Sequence, residues 1–194
     1  MPSTLRLSIR RVFAAVAACA IPAVFAADVP PAAAPEPVTV IKAGKLIDVA
    51  SGRVRNDQVI VVQGGKVSAV GAAGVTAVPP GATVIDLSSK TVLPGLIDTH
   101  THVTRDPTLP PYYGYGISVP REALMGARFG RETLLSGVTT IRNVGAGGYS
   151  DVALRDAINA GDVIGPRIQA SGPPLGITGG HCDRRAAYLQ AATD

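Results

Sequence analysis

The segment Val92-Leu93-Pro94-Gly95-Leu96-Ile97-Asp98-Thr99-His100-Thr101-His102 contains two of the chain's three histidines and separates two stretches of different character. Its apolar start predicts a buried strand over residues 96–103. Side chains alternate between the faces of a strand, so His100 and His102 lie on one face and Thr101 on the other. The pair is therefore positioned to bind one metal ion, although a bare His-x-His pair is more often two hydrogen-bonded histidines of a core or surface.

After this segment, strands and helices alternate. The pattern predicts helices over residues 122–136 and 151–160 and strands over 138–144 and 167–171. Gly137 and Gly161 are placed to end the helices, and Ser150 is placed to cap the second one. Alternation of this kind predicts parallel strands with right-handed crossovers.

Before the segment, short β-branched runs alternate with turn residues. The predicted strands cover residues 38–41, 45–48, 59–62, 66–70 and 83–87, and Gly64-Gly65 predicts a hairpin turn. Residues 38–92 thus form a small β domain of about 55 residues, near the lower limit for burying a core alone. With 22 glycines, 16 prolines and 46% hydrophobic residues, the chain fits a packed α/β protein better than a helix bundle.

Positive charge is concentrated at the N-terminus. The formal net charge is +4, but Arg6, Arg10 and Arg11 lie in the first 27 residues, which contain no acidic residue. The rest of the chain has 15 basic and 14 acidic residues, so its net charge is only +1. The basic balance therefore belongs to the leader and argues against a nucleic-acid partner.

The leader has the three parts of a signal peptide: a cationic start, an apolar run over residues 12–25 and the small-residue site Val24-Phe25-Ala26. We expect cleavage after Ala26 or Ala27, a Pro/Ala-rich linker over residues 28–37, and a periplasmic or secreted protein that meets the membrane only through its export signal. The run is too short for a membrane span and contains Pro22. A twin-arginine signal at residues 10–13 and a lipoprotein box at 16–19 are weaker alternatives.

The segment around the histidine pair meets every position of the pattern Pro-Gly-hydrophobic-hydrophobic-Asp-x-His-x-His. It closely resembles the first barrel strand of the metal-dependent amidohydrolase superfamily. Further resemblances to that superfamily occur at residues 44–48, 65–67, 137–142 and 179–181. They point to the branch with imidazolonepropionase-related proteins, prolidase-like enzymes, Xaa-Arg/Lys dipeptidases and ochratoxin-hydrolysing amidases. The resemblance implies the start of a (β/α)₈ TIM-type barrel at residues 93–194, holding its first three βα units, preceded by part of a small composite β domain.

The resemblance also implies a site. His100 and His102 would bind one or two divalent ions, for which zinc is the best match and cobalt, nickel or manganese are alternatives. Asp98 would orient the pair or accept hydrogen bonds from nearby backbone. His181 would face the substrate or be a plain loop histidine. Tyr112, Tyr113 and Tyr115 would line the substrate pocket or pack on a neighbouring loop.

Two positions depart from the family pattern and bear on substrate rather than fold. Asn143 stands in place of an aspartate, and Cys182 in place of a glycine. Cys182 is more typical of a small buried residue than of a ligand or nucleophile. With Cys19 in the leader, it is also left without an internal disulfide partner.

The implied function is hydrolysis of amide bonds in small dipeptide-like or N-acyl amino acid substrates by metal-activated water. A (β/α)₈ barrel needs about 250 residues, and about 100 follow Pro94. The family's carboxylated lysine, its later histidines and its catalytic aspartate would lie on further strands. We therefore expect an N-terminal fragment that has no catalytic residue of its own and is inactive alone. An inert truncated product and an exported binding protein on the same scaffold are the alternatives, and the oligomeric state is not indicated.

Overall fold

The computed structural model describes residues 36–110, 116–180 and 182–183. Within these residues the chain forms two β-sheets, two α-helices and a short 3₁₀ helix. The predicted signal peptide, nearly all of the predicted linker, His181 and the three clustered tyrosines lie outside the described residues. Among the helices described, none is both long and apolar enough to cross a bilayer.

The first sheet has four strands: β1 (Val38–Asp48), β2 (Arg53–Gln63), β3 (Lys66–Ala72) and β4 (Thr83–Val92). Their order is β3-β2-β1-β4, with β1 antiparallel to β2 and parallel to β4. Val40, Val59 and Val61 form its core. Residues 38–41 and 45–48, which the sequence predicts as separate strands, form one strand whose register with β4 shifts between Ala43 and Lys45.

The predicted hairpin between β2 and β3 is confirmed. Gly64 and Gly65, which form its turn, have φ angles of 56° and 72°. This left-handed conformation suits the twist of the flanking strands and favours glycine.

The second sheet is parallel, as predicted, with strands β5 (Leu96–Thr101), β6 (Val138–Asn143) and β7 (Arg167–Ala170) in that order. Helix α1 (Val119–Leu135) connects β5 to β6, and the 3₁₀ helix (Gly147–Tyr149) and helix α2 (Ser150–Ala160) connect β6 to β7. The core of this part consists of Val103, Ile141, Leu154 and Ile168. The carboxyl ends of the three strands therefore meet at one edge of the sheet, where His100 and His102 lie.

The helix ends are confirmed in part. Gly137 and Gly161 follow the helices with φ angles of 97° and 84°, as expected of helix-ending glycines. The prediction that Ser150 caps α2 is wrong: the cap position is Tyr149, in a left-handed conformation, and its side chain makes no capping hydrogen bond. Ser150 is instead buried, and its hydroxyl donates to Glu122 Oε2 at 3.2 Å.

Several element boundaries also differ from prediction, and two of them bound the loop between β5 and α1. Helix α1 begins at Val119, with a proline in its first turn, rather than at residue 122. Strand β5 ends at Thr101 rather than at residue 103, so His102 stands just past the strand. The domain boundaries remain predictions.

Candidate metal centre

The two histidines of the motif come together at the carboxyl end of β5. Their ring centroids are 5.8 Å apart, and the ring planes meet at 74° in an edge-on arrangement. Both residues are exposed. His100 belongs to the strand, whereas His102 follows it and opens the loop to α1. The structure thus presents two imidazoles side by side and open to a ligand.

The ring of His102 is held by a backbone carbonyl. Its Nδ1 lies 3.1 Å from the carbonyl oxygen of Gly145, which follows β6. A carbonyl oxygen can only accept, so Nδ1 carries the hydrogen in this bond and the lone pair of the neutral ring is on Nε2. Metal-binding histidines have this arrangement, in which the second ring nitrogen donates to a carbonyl or carboxylate.

Asp98 contacts backbone rather than either imidazole. Its Oδ1 accepts from the backbone N–H of His100 at 2.9 Å. This bond restrains the chain between the two residues. It corresponds to the alternative in which Asp98 binds nearby backbone, and the orienting role stays a prediction.

A buried polar network lies behind the histidines. Asn143, at the end of β6, and Asp151, in the first turn of α2, are both 0% exposed. Asn143 Nδ2 donates to Asp151 Oδ2 at 2.9 Å, and the same oxygen accepts from the backbone N–H groups of Ser171 at 3.2 Å and Gly172 at 3.1 Å. The network therefore joins the carboxyl ends of β6 and β7 to the start of α2.

Glu122 makes a second buried connection. Its Oε2 accepts from the backbone N–H of Gly147 at 3.1 Å and from the hydroxyl of Ser150. Glu122 is only 3% exposed, so these bonds form away from water and tie the first turn of α1 to the segment after β6. The sequence places Glu122 at a helix start and contains no signal for this contact.

Two cavities open at the histidine pair. One, of about 290 Å³, is lined by both histidines, Arg105, Glu122, residues 144–147, Pro174 and Cys182. The other, of about 540 Å³, is lined by both histidines, Arg105 and residues that include Phe129 and Glu132.

Arg105 is the cation common to the two cavities, and sequence reasoning missed it. Its backbone N–H donates to the carbonyl of His102 at 3.0 Å, which holds the residue close behind the pair. Ion pairs between described residues involve Arg55, Arg128 and Arg155 but not Arg105. The sequence feature that could have indicated Arg105 is a basic residue three positions after the His-x-His motif.

The donor chemistry fits part of a metal site. Two neutral imidazoles, one with its Nε2 lone pair set by a carbonyl contact, suit zinc and related ions. Among the described residues, no group of three or more His, Cys, Asp or Glu side chains is arranged to hold an ion. Within the described part of the chain, the two imidazoles are therefore the candidate ligands.

Comparison with known proteins agrees with this geometry. Residues 91–193 match the Amidohydrolase family. The chain belongs to the amidohydrolase family. The resemblance stated from the motif is thus confirmed.

Individual relatives share a limited part of their length with this chain. Ochratoxinase of Aspergillus niger is 38% identical over 47% of this chain and 19% of its own length, and enamidase of Eubacterium barkeri is 35% identical over 56% and 25%. A Xaa-Pro dipeptidase with bound methionine superposes with a TM-score of 0.64 at 37% identity, over 75% of this chain and 36% of that one. These values confirm the fold class of a partial TIM-type barrel, and they show that this chain spans a quarter or less of those curated relatives.

Proposed function

We propose that this chain is part of an exported, metal-dependent hydrolase that cleaves amide bonds in dipeptide-like or N-acyl amino acid substrates. The observation that carries the proposal is the His102 ring, whose Nδ1 is bonded to the Gly145 carbonyl while its Nε2 is left for an ion beside His100. A divalent ion bound there, with zinc the best match, would lower the pKa of a water molecule and polarise the scissile carbonyl.

The chain's own residues have three tasks in this proposal. His100 and His102 hold the ion through ring nitrogens. Asp98 restrains the backbone between them through the amide of His100. Arg105, which lines both cavities, binds the carboxylate at the end of the substrate. The group that takes the proton from the attacking water and donates it to the leaving amine would come from residues other than those described.

The names of relatives support the substrate class. They include ochratoxinase, the Xaa-Pro dipeptidase and a prolidase complexed with N-methylphosphonate-L-proline, which is 31% identical to this chain with a TM-score of 0.64 over 74% of it. Dipeptides and N-acyl amino acids both carry a free carboxylate, which agrees with a cation at the cavity wall. The leader sequence supports export, and a periplasmic role would be scavenging of small peptides or amides.

The metal proposal is tested by comparing His100→Ala, His102→Ala and Thr101→Val for zinc binding by isothermal titration of the purified chain. We expect both histidine variants to lose binding because each removes one of the two ligands. Thr101→Val is the matched control: the backbone carbonyl of Thr101 accepts from the amide of Val144 at 3.0 Å, and the substitution leaves that bond in place. Full binding in both histidine variants would show that the pair is structural.

The carboxylate proposal is tested by titrating the chain with N-acetyl-L-alanine and with N-acetyl-L-alaninamide, followed by NMR. We expect the acid, but not the amide, to shift the signals of Arg105, and Arg105→Gln to abolish the response. Arg128→Gln is the control, because Arg128 is paired with Asp106 at 3.5 Å. Equal responses to the acid and the amide would refute a carboxylate site.

A further inference from the structure

We propose that Asn143 is a positioning residue for His102: through the carbonyl of Gly145, it sets the orientation and tautomer of the imidazole. This inference rests on the proposed function in taking His102 as a metal ligand. The role is separate from ion binding itself, because Asn143 reaches the imidazole only through backbone.

Asn143 reaches the surroundings of His102 from two sides. Its Oδ1 accepts from the backbone N–H of Val103, the residue after His102, at 2.8 Å. Its Nδ2 donates at 3.3 Å to the carbonyl oxygen of Gly145, the same atom that accepts from His102 Nδ1. One buried amide therefore restrains both the backbone that carries the imidazole and the acceptor that orients it.

Asp151 determines which way the Asn143 amide points. Its Oδ2 accepts three N–H groups, from Asn143, Ser171 and Gly172, and its Oδ1 accepts from the amide of Val152 at 2.9 Å. A carboxylate oxygen surrounded by donors requires the amide nitrogen, not the amide oxygen, on its side. The oxygen of Asn143 must then face Val103, and the nitrogen is left within reach of the Gly145 carbonyl.

This arrangement explains why an amide suits position 143 in this chain. An aspartate there would keep an acceptor for Val103 but would face Asp151 Oδ2 with a second carboxylate oxygen at a distance where a hydrogen bond is now 2.9 Å. It would also present an oxygen to the Gly145 carbonyl, where a donor is needed. The carboxylate of Asp151 therefore gives a physical reason why asparagine, and not the aspartate of the family pattern, suits position 143 in this chain.

The packing around Gly145 makes its carbonyl a suitable intermediary. A Cβ built on Gly145 would lie 3.5 Å from His102 Cε1 and 3.5 Å from Pro174 Cβ, both ordinary contact distances. The glycine thus lies directly against the imidazole and against the segment after β7. A displaced Gly145 carbonyl would move the acceptor of the ring and leave the imidazole free to exchange tautomers.

The test measures the tautomer of His102 in the 194-residue chain by long-range ¹H–¹⁵N NMR, with zinc titrated on the same signals. In the unmodified chain we expect the Nδ1–H tautomer. In Asn143→Asp and Asn143→Ala we expect a tautomer mixture and zinc binding weaker by about 10- to 100-fold, the usual cost of losing a group that orients a ligand.

Ser150→Ala is the matched control. It removes a bond from an equally buried hydroxyl at the start of α2, but that bond goes to Glu122 and not to Gly145. We expect this variant to lose stability while keeping the tautomer and the zinc affinity of the unmodified chain.

The outcomes separate this inference from the proposed function. An Nε2–H tautomer in the unmodified chain overturns the inference even if both Asn143 variants fail to fold. So does an unchanged tautomer in folded Asn143→Ala. A chain that shows the expected tautomer and its loss in the variants, but binds no zinc, supports the positioning role and contradicts the metal-dependent function.

Discussion

Asp106, on the loop after the histidine pair, is a carboxylate whose pKa is lowered by neighbouring residues. Its pKa is held below the ordinary value of 3.8, first by the hydroxyl of Thr108, which donates to Oδ1 at 2.6 Å, then by the Thr108 amide and by Arg128. Because the folded-state pKa is lowered, the carboxylate stabilises the fold above about pH 3.8. This stabilisation is lost as the pH falls through the folded-state pKa.

We predict that Thr108→Val raises the pKa of Asp106 toward 3.8, because it removes the largest of the lowering contacts. Carboxyl ¹³C NMR titration measures this directly. Arg128→Gln should have a smaller effect, since the Arg128 side chain is 58% exposed and its contact with Asp106 is 3.5 Å long. A larger shift in the arginine variant than in the threonine variant would contradict this account.

The sequence predicts the position of some site residues, but it does not predict their hydrogen-bond partners that are distant along the chain. His100 and His102 follow from a two-residue period, which is a local property. The partners of His102 and Val103 lie 43 and 40 residues away, at Gly145 and Asn143, and no local pattern contains that information. Ser150 shows the same limit. A serine before a helix predicts a cap, but the Ser150 hydroxyl donates to the buried carboxylate of Glu122 on the other helix.

Gly44 is the position where two strands constrain each other. It lies at the register shift between β1 and β4, and a Cβ there would overlap the backbone carbonyl oxygen of Ser88 and lie 2.8 Å from its carbonyl carbon. The neighbour is backbone within a strand, so it cannot rotate away as a flexible side chain would. A glycine is therefore required for β4 to pair with β1 on both sides of the register shift.

We predict that Gly44→Ala destabilises the chain by about 1–3 kcal/mol, the usual range for overpacking. Urea unfolding followed by circular dichroism measures the change. Gly116→Ala is the control, since a Cβ on Gly116 meets nothing within 4 Å. Its effect should stay within about 0.5 kcal/mol. Equal midpoints for the two variants would show that β4 moves freely at this point.

Whole elements were predicted better than their ends. The β2–β3 hairpin, both helices and the parallel order of β5, β6 and β7 follow from turn chemistry and periodicity. The end of β5 does not, because apolar Val103 continues the strand pattern, although it packs in the core with Ile141 and Leu154 beyond the strand. Tertiary packing there overrides the local alternation.

For the whole molecule, the N-terminal leader predicts export, which can be tested independently of the metal site. We predict that the exported product begins at Ala27 or Asp28, since Val24-Phe25-Ala26 ends an apolar run that follows three arginines. N-terminal sequencing of the protein from the periplasm or the medium measures this. An intact Met1 on protein found only in the cytoplasm would refute the signal peptide. A start at Cys19 would instead favour the lipoprotein alternative.

Strand β5, which leads to the two proposed metal ligands, is the first strand of the described three-stranded sheet. Strand β5 pairs with β6 on one side only within the described residues, and Leu96 and Ile97 are 54% and 67% exposed. An exposed apolar edge strand of this kind offers unpaired backbone groups to which a further strand can bind. The same part of the chain supplies two imidazoles but no third ligand group. Both observations agree with the proposal that the described residues provide one part of a metal site.

We predict that the purified 194-residue chain, supplied with zinc, has no amidase activity above the background of free zinc. Two imidazoles can hold an ion weakly, but loss of a general acid or base alone costs about 10²- to 10⁴-fold in rate. The assay follows release of amino acids from dipeptides and N-acyl amino acids, with the Xaa-Pro dipeptidase on an Xaa-Pro dipeptide as positive control. Zinc-dependent turnover in the usual enzyme range of about 1–10³ s⁻¹, abolished by His100→Ala, would show that the chain contains a complete site.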